Sequence, residues 1–549
     1  MRRRWPWVAI GVVAVAGVLG FDAVRSGTAA VQGFRDARRL LIEGGALLGS
    51  GDVEGARVAL SAAEEAAERA DRSLHRPGIS AVGWLPWFST ELDAARRGAT
   101  ATRLASQGGL ALAAGADAAG WDGGTVPGFA PGGRIDAAAL AAAQPYVLEA
   151  ATLLVAASGE LAPVDAATLN QQLGEVVTSA RSEIVARARQ AGAAATLLHV
   201  LPLLLGIDGE RAYLLVTLTP SDPRGAGGYP GLFGILRTDG SRLSLGDIAP
   251  TSTIPEVEPV AAPDDITRMW GPFGSLTSFW NTTYTSDFPT AARLMEAIWR
   301  EGGGEPVDGV IAGDTAFMAA LLDVVGPVEA PGWPEIIDAD NVERIVGADV
   351  YRTTDQLTSD AWQVAIGDAL WTAVFTRVWA FEPMLTATAD AVTNGNLQVW
   401  AQRPDEQEAL ETLGVAGEVA LPGDAEPLVT FNGFTANRAG AFADVAVVTE
   451  ADADRLRTTI TIENTAPTGP PSILLGRSRA DTGGGPIGTF GTDVNVYPPV
   501  GWRVTRIEVD KIPDVIATAR EAGLDVVTTI AFVSPGETSV VTVVMERVT

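Results

Sequence analysis

The hydrophobic pattern of this chain changes period near residue 210, and that change limits the folds open to it. Before it, from about residue 26 to residue 199, apolar and small residues recur at helical spacing. Ala56, Leu60, Ala63, Ala67, Ala70 and Leu74 alternate between steps of four and three, which lines them along one helix face. Gly51 and Asp52 ahead of them supply a turn and an N-cap. A glycine-rich linker at 121–133 precedes two further helices, expected over 135–158 and 164–199. This part predicts a helical stalk or bundle.

After the change the runs are shorter and β-branched. Residues 213–218 predict a buried strand. Residues 232–237 and 242–245, joined through Asp239-Gly240, predict a hairpin with a type I′ turn. Helices are expected over 290–300, 315–325, 341–346, 358–391 and 404–413, with strands at 309–311 and 397–400. From about Val415 nearly all the signal is strand, clearest at 458–462, 503–509, 526–532 and 539–544. At 549 residues the chain is long enough for about three to four domains. The expected plan is multidomain α/β. A cytoplasmic tip and transmembrane anchor occupy 1–25, a helical stalk 26–200, a central α/β domain 201–414, and a C-terminal β-sandwich-like domain 415–549.

The anchor is read from Arg2, Arg3 and Arg4 and the uncharged run that begins at Trp5 and ends at Phe21. At about 1.5 Å per residue that run spans roughly 26 Å, enough for the hydrocarbon core. The arginines belong on the cytoplasmic side, which places the body outside. A cleaved signal peptide ending near Ala30 gives the same sidedness. The expected location is therefore the cell membrane, in a single pass, with an extracytoplasmic body.

Charge and composition narrow the chemistry. A formal net charge of −28 excludes a nucleic-acid binder and leaves hydrophobic insertion as the route to a bilayer. With no cysteine, thiolate nucleophiles, disulfides and cysteine-ligated zinc are excluded. The two histidines, His75 and His199, fall in helical segments, so a Ser-His-Asp triad or a histidine metal cluster is not expected. Carboxylates, arginines, hydroxyls and oxygen-bound cations remain.

Three stretches could carry such chemistry. Residues 219–231 join two strands and hold Arg224, Gly227, Gly228 and Tyr229. The glycines would let backbone amides converge on an anion, and Arg224 would add a forked donor. A tight structural turn explains the same residues. The loop is neither a Walker loop, lacking Gly-Lys-Ser/Thr, nor a dinucleotide fingerprint, since a strand follows it. Asn281 and Asp287 precede a helix; Asp287 either caps it or joins Asn281 in holding a hard cation. Asp314 stands at a strand-to-helix junction, the ordinary place of a cap.

These stretches resemble the bacterial domain-of-unknown-function family 4012, a group of membrane-anchored proteins. Its Arg-x-x-Gly-Gly-aromatic-x-Gly loop is matched by Arg224, Gly227, Gly228, Tyr229 and Gly231. Its Ser-Pro-Asp-Phe-Pro-like element is matched by Ser286, Asp287, Phe288 and Pro289. Its Val-Asp-Gly-Val strand and downstream Gly-Pro-Val are matched at 307–310 and 326–328. The resemblance covers about 201–413 well and the β region loosely. Where the family usually has Asn-Asn-Ala-Glu-Leu before the arginine, this chain has Thr-Pro-Ser-Asp-Pro. The family implies no activity. More distantly, the core resembles the LytR-CpsA-Psr envelope transferases. That resemblance implies a phosphotransferase acting on polyprenyl-phosphate-linked glycopolymer, with Arg224 on the phosphate and Asp287 or Asp314 assisting a divalent cation such as Mg²⁺. Against it stands a binding or scaffold role in the cell envelope, with no cofactor and no metal. The expected partners are the membrane, through the N-terminal helix, and an anionic lipid or glycan. Whether the chain is an enzyme, and which residues would be catalytic, stay open at this point.

Overall fold

The computed structural model describes residues 27–76, 86–121, 129–130, 134–419, 423, 425–452, 454–513 and 517–548. The anchor expected between Trp5 and Phe21 lies outside them. The described residues fall into two compact units. One runs through the helices to Gly209 and includes Asp239–Arg242; the other comprises Glu210–Thr238 and the chain from Leu243 onward. The whole is mixed α/β.

The first unit is built from α1 (Gly27–Gly49), α2 (Val53–Leu74), α3 (Pro86–Ala118), α4 (Ala137–Leu161) and α5 (Gln171–Leu204). Each packs against the next in sequence. Asp52, Asp136 and Asn170 cap α2, α4 and α5, each accepting the backbone amide three residues on at 2.8–3.1 Å. The α2 seam, Ala56 to Leu74, is fully buried. Its small residues let α1 come close: a Cβ on Gly33 would lie 2.8 Å from the Ala66 carbonyl oxygen. Among the described residues α4 is the one helix long and apolar enough to cross a membrane. Its stripe of Leu140, Val147, Leu154 and Leu161 is buried, as in a bundle helix.

In the second unit a six-stranded sheet is formed by β1 (Arg211–Thr219), β2 (Tyr229–Thr238), β3 (Leu243–Leu245), β4 (Ala249–Pro250), β5 (Gly309–Gly313) and β6 (Leu397–Ala401). The order is β3-β2-β1-β5-β6, with β4 also on β2. Only β1 and β5 run parallel. A parallel neighbour needs a long crossover, and residues 220–308 supply it, including α6 (Asp264–Met269) and α7 (Phe288–Glu301). One core cluster joins Leu214, Val216 and Val310 of the sheet to Phe288, Ala292 and Met295 of α7. Another gathers α8 (Thr315–Val325), α9 (Val342–Gly347), α10 (Gln356–Thr376) and α11 (Phe381–Thr393). Helix α12 (Pro404–Leu413) follows β6. Arg211 is buried on β1 and pairs with Asp308 and Glu406, both at 3.1 Å.

Two sheets complete the unit. One takes the order β8-β9-β15-β11-β12, from β8 (Ala443–Ala451), β9 (Arg455–Asn464), β11 (Trp502–Val509), β12 (Ile512–Pro513) and β15 (Thr538–Arg547). The other takes β13-β14-β10-β7, from β7 (Leu428–Gly433), β10 (Phe490–Tyr497), β13 (Ala517–Glu521) and β14 (Leu524–Val533). Their facing side chains share one core: Ile460 and Val543 from the first, Val494 and Ala531 from the second. Face-to-face sheets of this kind bury alternate residues of every strand.

Two sequence expectations need correction. The hairpin turn is not the two-residue type I′. Thr238 pairs with Leu243, leaving a four-residue loop, and only Gly240 has a positive φ where type I′ needs two. The Asp239 carboxylate organises it instead, accepting the Ser241 amide, the Ser241 hydroxyl and the Arg242 amide at 2.7–2.9 Å. The single helix expected over 358–391 is two helices, broken at Arg377. That guanidinium leaves the helix line to donate to the carbonyls of Val325, Gly326 and Pro327 at 2.9–3.1 Å. Pro383 then falls in the first turn of α11, where its missing N–H costs nothing.

Candidate functional site

The loop at 220–228 leaves the carboxyl end of β1. Asp314 leaves the carboxyl end of the parallel strand β5, so both lie along one sheet edge. That edge is where α/β sheets most often hold ligands. Here it is crossed by side-chain amides. Gln398 Nε2 donates to the Ala226 and Gly395 carbonyls at 3.3 and 3.2 Å, and Asn396 Nδ2 donates to Asp314 Oδ2 at 2.7 Å.

The loop amides are engaged by the protein itself. Gly225 N donates to Asn432 Oδ1 at 2.8 Å and Ala226 N to the Thr283 carbonyl at 3.2 Å. Gly227 N donates to the Arg224 carbonyl at 3.0 Å and Tyr229 N to the Asp222 carbonyl at 3.1 Å. An anion cradle needs such amides free and converging. The glycines serve close approach instead. Gly228 holds φ at 139°, and a Cβ there would fall 2.7 Å from the Thr219 carbonyl carbon.

Arg224 is turned inward, with its side chain 8% exposed. Its Nη1 lies 3.1 Å from Asp222 Oδ1 and donates to the Gly433 carbonyl, and its guanidinium stacks 4.4 Å from the Tyr284 ring centroid. Asp222 is shared: its Oδ2 accepts Arg438 Nη1 at 2.8 Å. Arg438 is packed between aromatic rings, 4.5 Å from the Tyr229 centroid and 5.2 Å from that of Tyr351. Burial alone would lower the Arg438 pKa, but Asp222 and the two tyrosines raise it, and the net shift is upward. One carboxylate thus serves two buried guanidiniums.

Asp493, on β10, lies near it. Its Oδ2 is buried and accepts no hydrogen bond among the described residues. Burial pushes the carboxyl up to about 6, although the Arg224 guanidinium pulls it the other way. Asp493 sits opposite Asn432 in the sheet, and Asn432 Nδ2 donates to the Tyr284 carbonyl at 3.1 Å. Further along the same sheet, the Tyr497 hydroxyl donates to Glu521 and lies within hydrogen-bond distance of Ser286 Oγ, at 3.0 Å. Fully buried Glu521 also accepts the Ser286 amide at 2.8 Å and Trp270 Nε1 at 3.1 Å. Desolvation raises the Glu521 and Tyr497 pKa values. The outer face of the four-stranded sheet is therefore polar and yet buried, hydrogen-bonded to the 284–286 segment and to the Arg224 loop.

The remaining candidates have local duties. Asp287 caps α7: its Oδ2 accepts Thr290 N at 3.1 Å and Thr290 Oγ1 at 2.6 Å, and its Oδ1 accepts Val419 N at 3.3 Å. Asp314 caps α8 through Phe317 N at 2.9 Å, and desolvation raises its pKa. Asn281 donates to the Phe273 carbonyl at 2.9 Å and shares no partner with Asp287. Among the described residues no group of three or more His, Asp or Glu is placed to hold a metal ion. Arg224, Gly227, Gly228 and Tyr229 come together around Asp222; Asn281, Asp287 and Asp314 do not join them. Reading the sequence missed Arg438, Asn432, Asp493, Tyr497 and Glu521. The one signal they left is a run of polar residues, Thr492, Asp493 and Asn495, inside a strand of the β region.

Residues 208–351 match the family model described as "Protein of unknown function (DUF4012)", the family that the Arg224, Ser286 and 307–310 motifs resemble. The matched segment holds β1, the Arg224 loop, β2, Asp287 and Asp314 but not Arg438, Asp493 or Glu521. No curated protein matches the chain. Among solved structures, a likeness is found to the transcriptional regulator yvhJ from Bacillus subtilis, at 11% identity and a TM-score of 0.23, covering 38% of this chain and 76% of that one. A likeness of that size carries no argument about fold or activity.

Proposed function

We propose that the protein is a membrane-anchored, extracytoplasmic cell-envelope protein with a binding or scaffold role. The anchor is the run between Trp5 and Phe21, oriented by Arg2, Arg3 and Arg4. One observation supports a scaffold over a transferase. The loop that would grip a phosphate has its amides donated to protein acceptors and its arginine paired with Asp222. A phosphotransferase in the manner of the LytR-CpsA-Psr family would need Arg224 open, with Asp287 or Asp314 free to assist Mg²⁺. Both carboxylates cap helices instead.

The deciding experiment uses the full chain in neutral detergent with a polyprenyl-phosphate-linked glycan and Mg²⁺. The expected result is no glycan transfer and no release of polyprenyl phosphate. Turnover that Arg224→Ala abolishes, in a variant that still melts cooperatively, would replace this reading with the transferase. Topology is tested separately by an export-dependent reporter fused after Thr549, expected to be active. Retention in the membrane fraction through a carbonate wash is expected of a spanning helix.

A further inference from the structure

The outer edge of the five-stranded sheet is β8, a nine-residue strand with β9 on one side and no strand on the other among the described residues. Exposed edges invite pairing with another chain, and proteins usually blunt them with a short strand, lysine, proline or a bulge. The opposite edge of this sheet follows that habit: β12 is two residues long and ends in Pro513. Strand β8 does not. It holds no basic residue and no proline, and its register with β9 runs from Ala443 to Ala451 without a shift. Its apolar side chains are also uncovered. Val445 and Val447 lie beside Ile462 and Ile460 on the core face of the sheet. The isoleucines are fully buried whereas the valines are 42% and 45% exposed, so the shared core ends one strand short of the edge.

The backbone sets what can add there. At one end of the β8–β9 pairing Thr465 N donates to the Phe442 carbonyl at 2.8 Å, and at the other Asp452 N donates to the Arg455 carbonyl at 2.8 Å. Alternation between these ends gives the bonds with β9 to Asp444, Ala446, Val448 and Glu450. The N–H and C=O groups of Ala443, Val445, Val447 and Thr449 therefore point to the open side. A second β8 can meet them antiparallel about a two-fold axis. Centring the axis on Val447 opposes Asp444 to Glu450 of the second copy, and centring it on Val448 opposes Asp444 to Asp452. Like charges so placed repel. Centring it on Val445 shortens the overlap. Centring it on Ala446 sets Val445 against Val447, Ala443 against Thr449 and Asp444 against Val448, with no acid directly opposite another. In that register the strand is complementary to itself.

We propose that β8 is a self-association edge, pairing antiparallel with β8 of a second copy about Ala446 and joining the two five-stranded sheets into one. The proposal goes beyond the scaffold reading and does not involve the Arg224 loop, so either can fail alone. The chain has no cysteine, which permits a direct test. In the proposed register Ala446 faces its own copy in a non-hydrogen-bonded pair, with Cα atoms about 4.5 Å apart and within disulfide reach. Val448 and its copy would stand roughly 14 Å apart, out of reach. Full-length Ala446→Cys in neutral maltoside detergent, under mild oxidation, is expected to give a disulfide dimer on a non-reducing gel at least tenfold faster than Val448→Cys. Sedimentation velocity of the wild type should show a dimer at tens of micromolar. Salt should strengthen it, because two copies of net charge −28 repel. Val447→Pro removes only an outward N–H, and Val447→Lys puts a charge on the edge; each should weaken dimerisation at least tenfold while still melting cooperatively. Equal crosslinking at both cysteine positions, or a dimer that persists in both Val447 variants, would overturn this edge as the interface. A wild type that stays monomeric, with Ala446→Cys uncrosslinked, would overturn the second copy as occupant and leave the edge to an extended peptide of another protein.

Discussion

Arg224 and Arg503 lie in the same unit and differ in everything that decides what an arginine does. Arg224 sits in a glycine-rich loop at the carboxyl end of a parallel strand, the textual signature of an anion site. Its charge is met by Asp222, its fork by the Gly433 carbonyl and its face by Tyr284. Arg503 sits in an ordinary strand with no motif around it, opposite Glu546 on the exposed face of its sheet, and forms no ion pair among the described residues. The lesson is that recognition depends on unsatisfied donors rather than on the residues that could supply them. A buried guanidinium whose partners are internal fastens the fold; an exposed one without such partners does not.

The comparison breaks most readily at Asp222. Removing its carboxylate leaves Arg224 and Arg438 buried without their shared counter-charge. Asp222→Ala is expected to lose about 3–5 kcal/mol, measured as a shift of the urea midpoint followed by tryptophan fluorescence. A loss under about 1 kcal/mol would mean that water reaches both guanidiniums and that the loop is open after all.

Asp493 sharpens the same contrast with the opposite sign. Its folded pKa of about 6 lies above the roughly 3.9 of an exposed aspartate, so the unfolded chain ionises first as pH rises. Its contribution is therefore best below about pH 4, and stability is lost between about pH 4 and 6, by up to about 3 kcal/mol. Asp493→Asn should be about 1–3 kcal/mol more stable than wild type at pH 7, and the two should converge near pH 4. A constant difference across that range would show that Asp493 keeps one charge state throughout.

Asp314 tests the cation reading. Asp314→Ala should cost about 1–2 kcal/mol, the loss of a helix cap. Millimolar Mg²⁺ should leave the melting temperature of the wild type where it was. A rise with Mg²⁺ that vanishes in Asp314→Ala would show a cation site. The smallest effect belongs to Arg503→Ala, an exposed change expected within about 0.5 kcal/mol of wild type. A larger loss would move Arg503 into the same structural class as Arg224.

Local order was legible residue by residue. The α2 seam from Ala56 to Leu74, the strand at 213–218 and the caps Asp52, Asp287 and Asp314 depend on neighbours within about four positions. The family motifs were legible for a similar reason: the loop around Arg224 carries its glycines in one short stretch. The hairpin turn failed locally, where the Asp239 carboxylate organises a longer loop, and the other failure is a contact across a long interval. The break at Arg377 depends on carbonyls fifty residues earlier in the chain.

The helical first part, the α/β middle and the strand-rich end were inherent in the order of the residues, because period and capping are properties of short segments. The fate of the candidate site was not. Arg224 became a fastening because Gly433, 209 positions away, brought its carbonyl to the guanidinium, and because Arg438, 216 positions from Asp222, claimed the other carboxylate oxygen. The alternation along β10 ordinarily marks one wet face, yet Asp493, Asn495 and Tyr497 are buried because the 284–286 segment and the Arg224 loop lie over that side. No local pattern encodes which surface will cover which. That outcome follows from the packing of whole sheets, where a polar face is buried only if distant groups arrive to satisfy it.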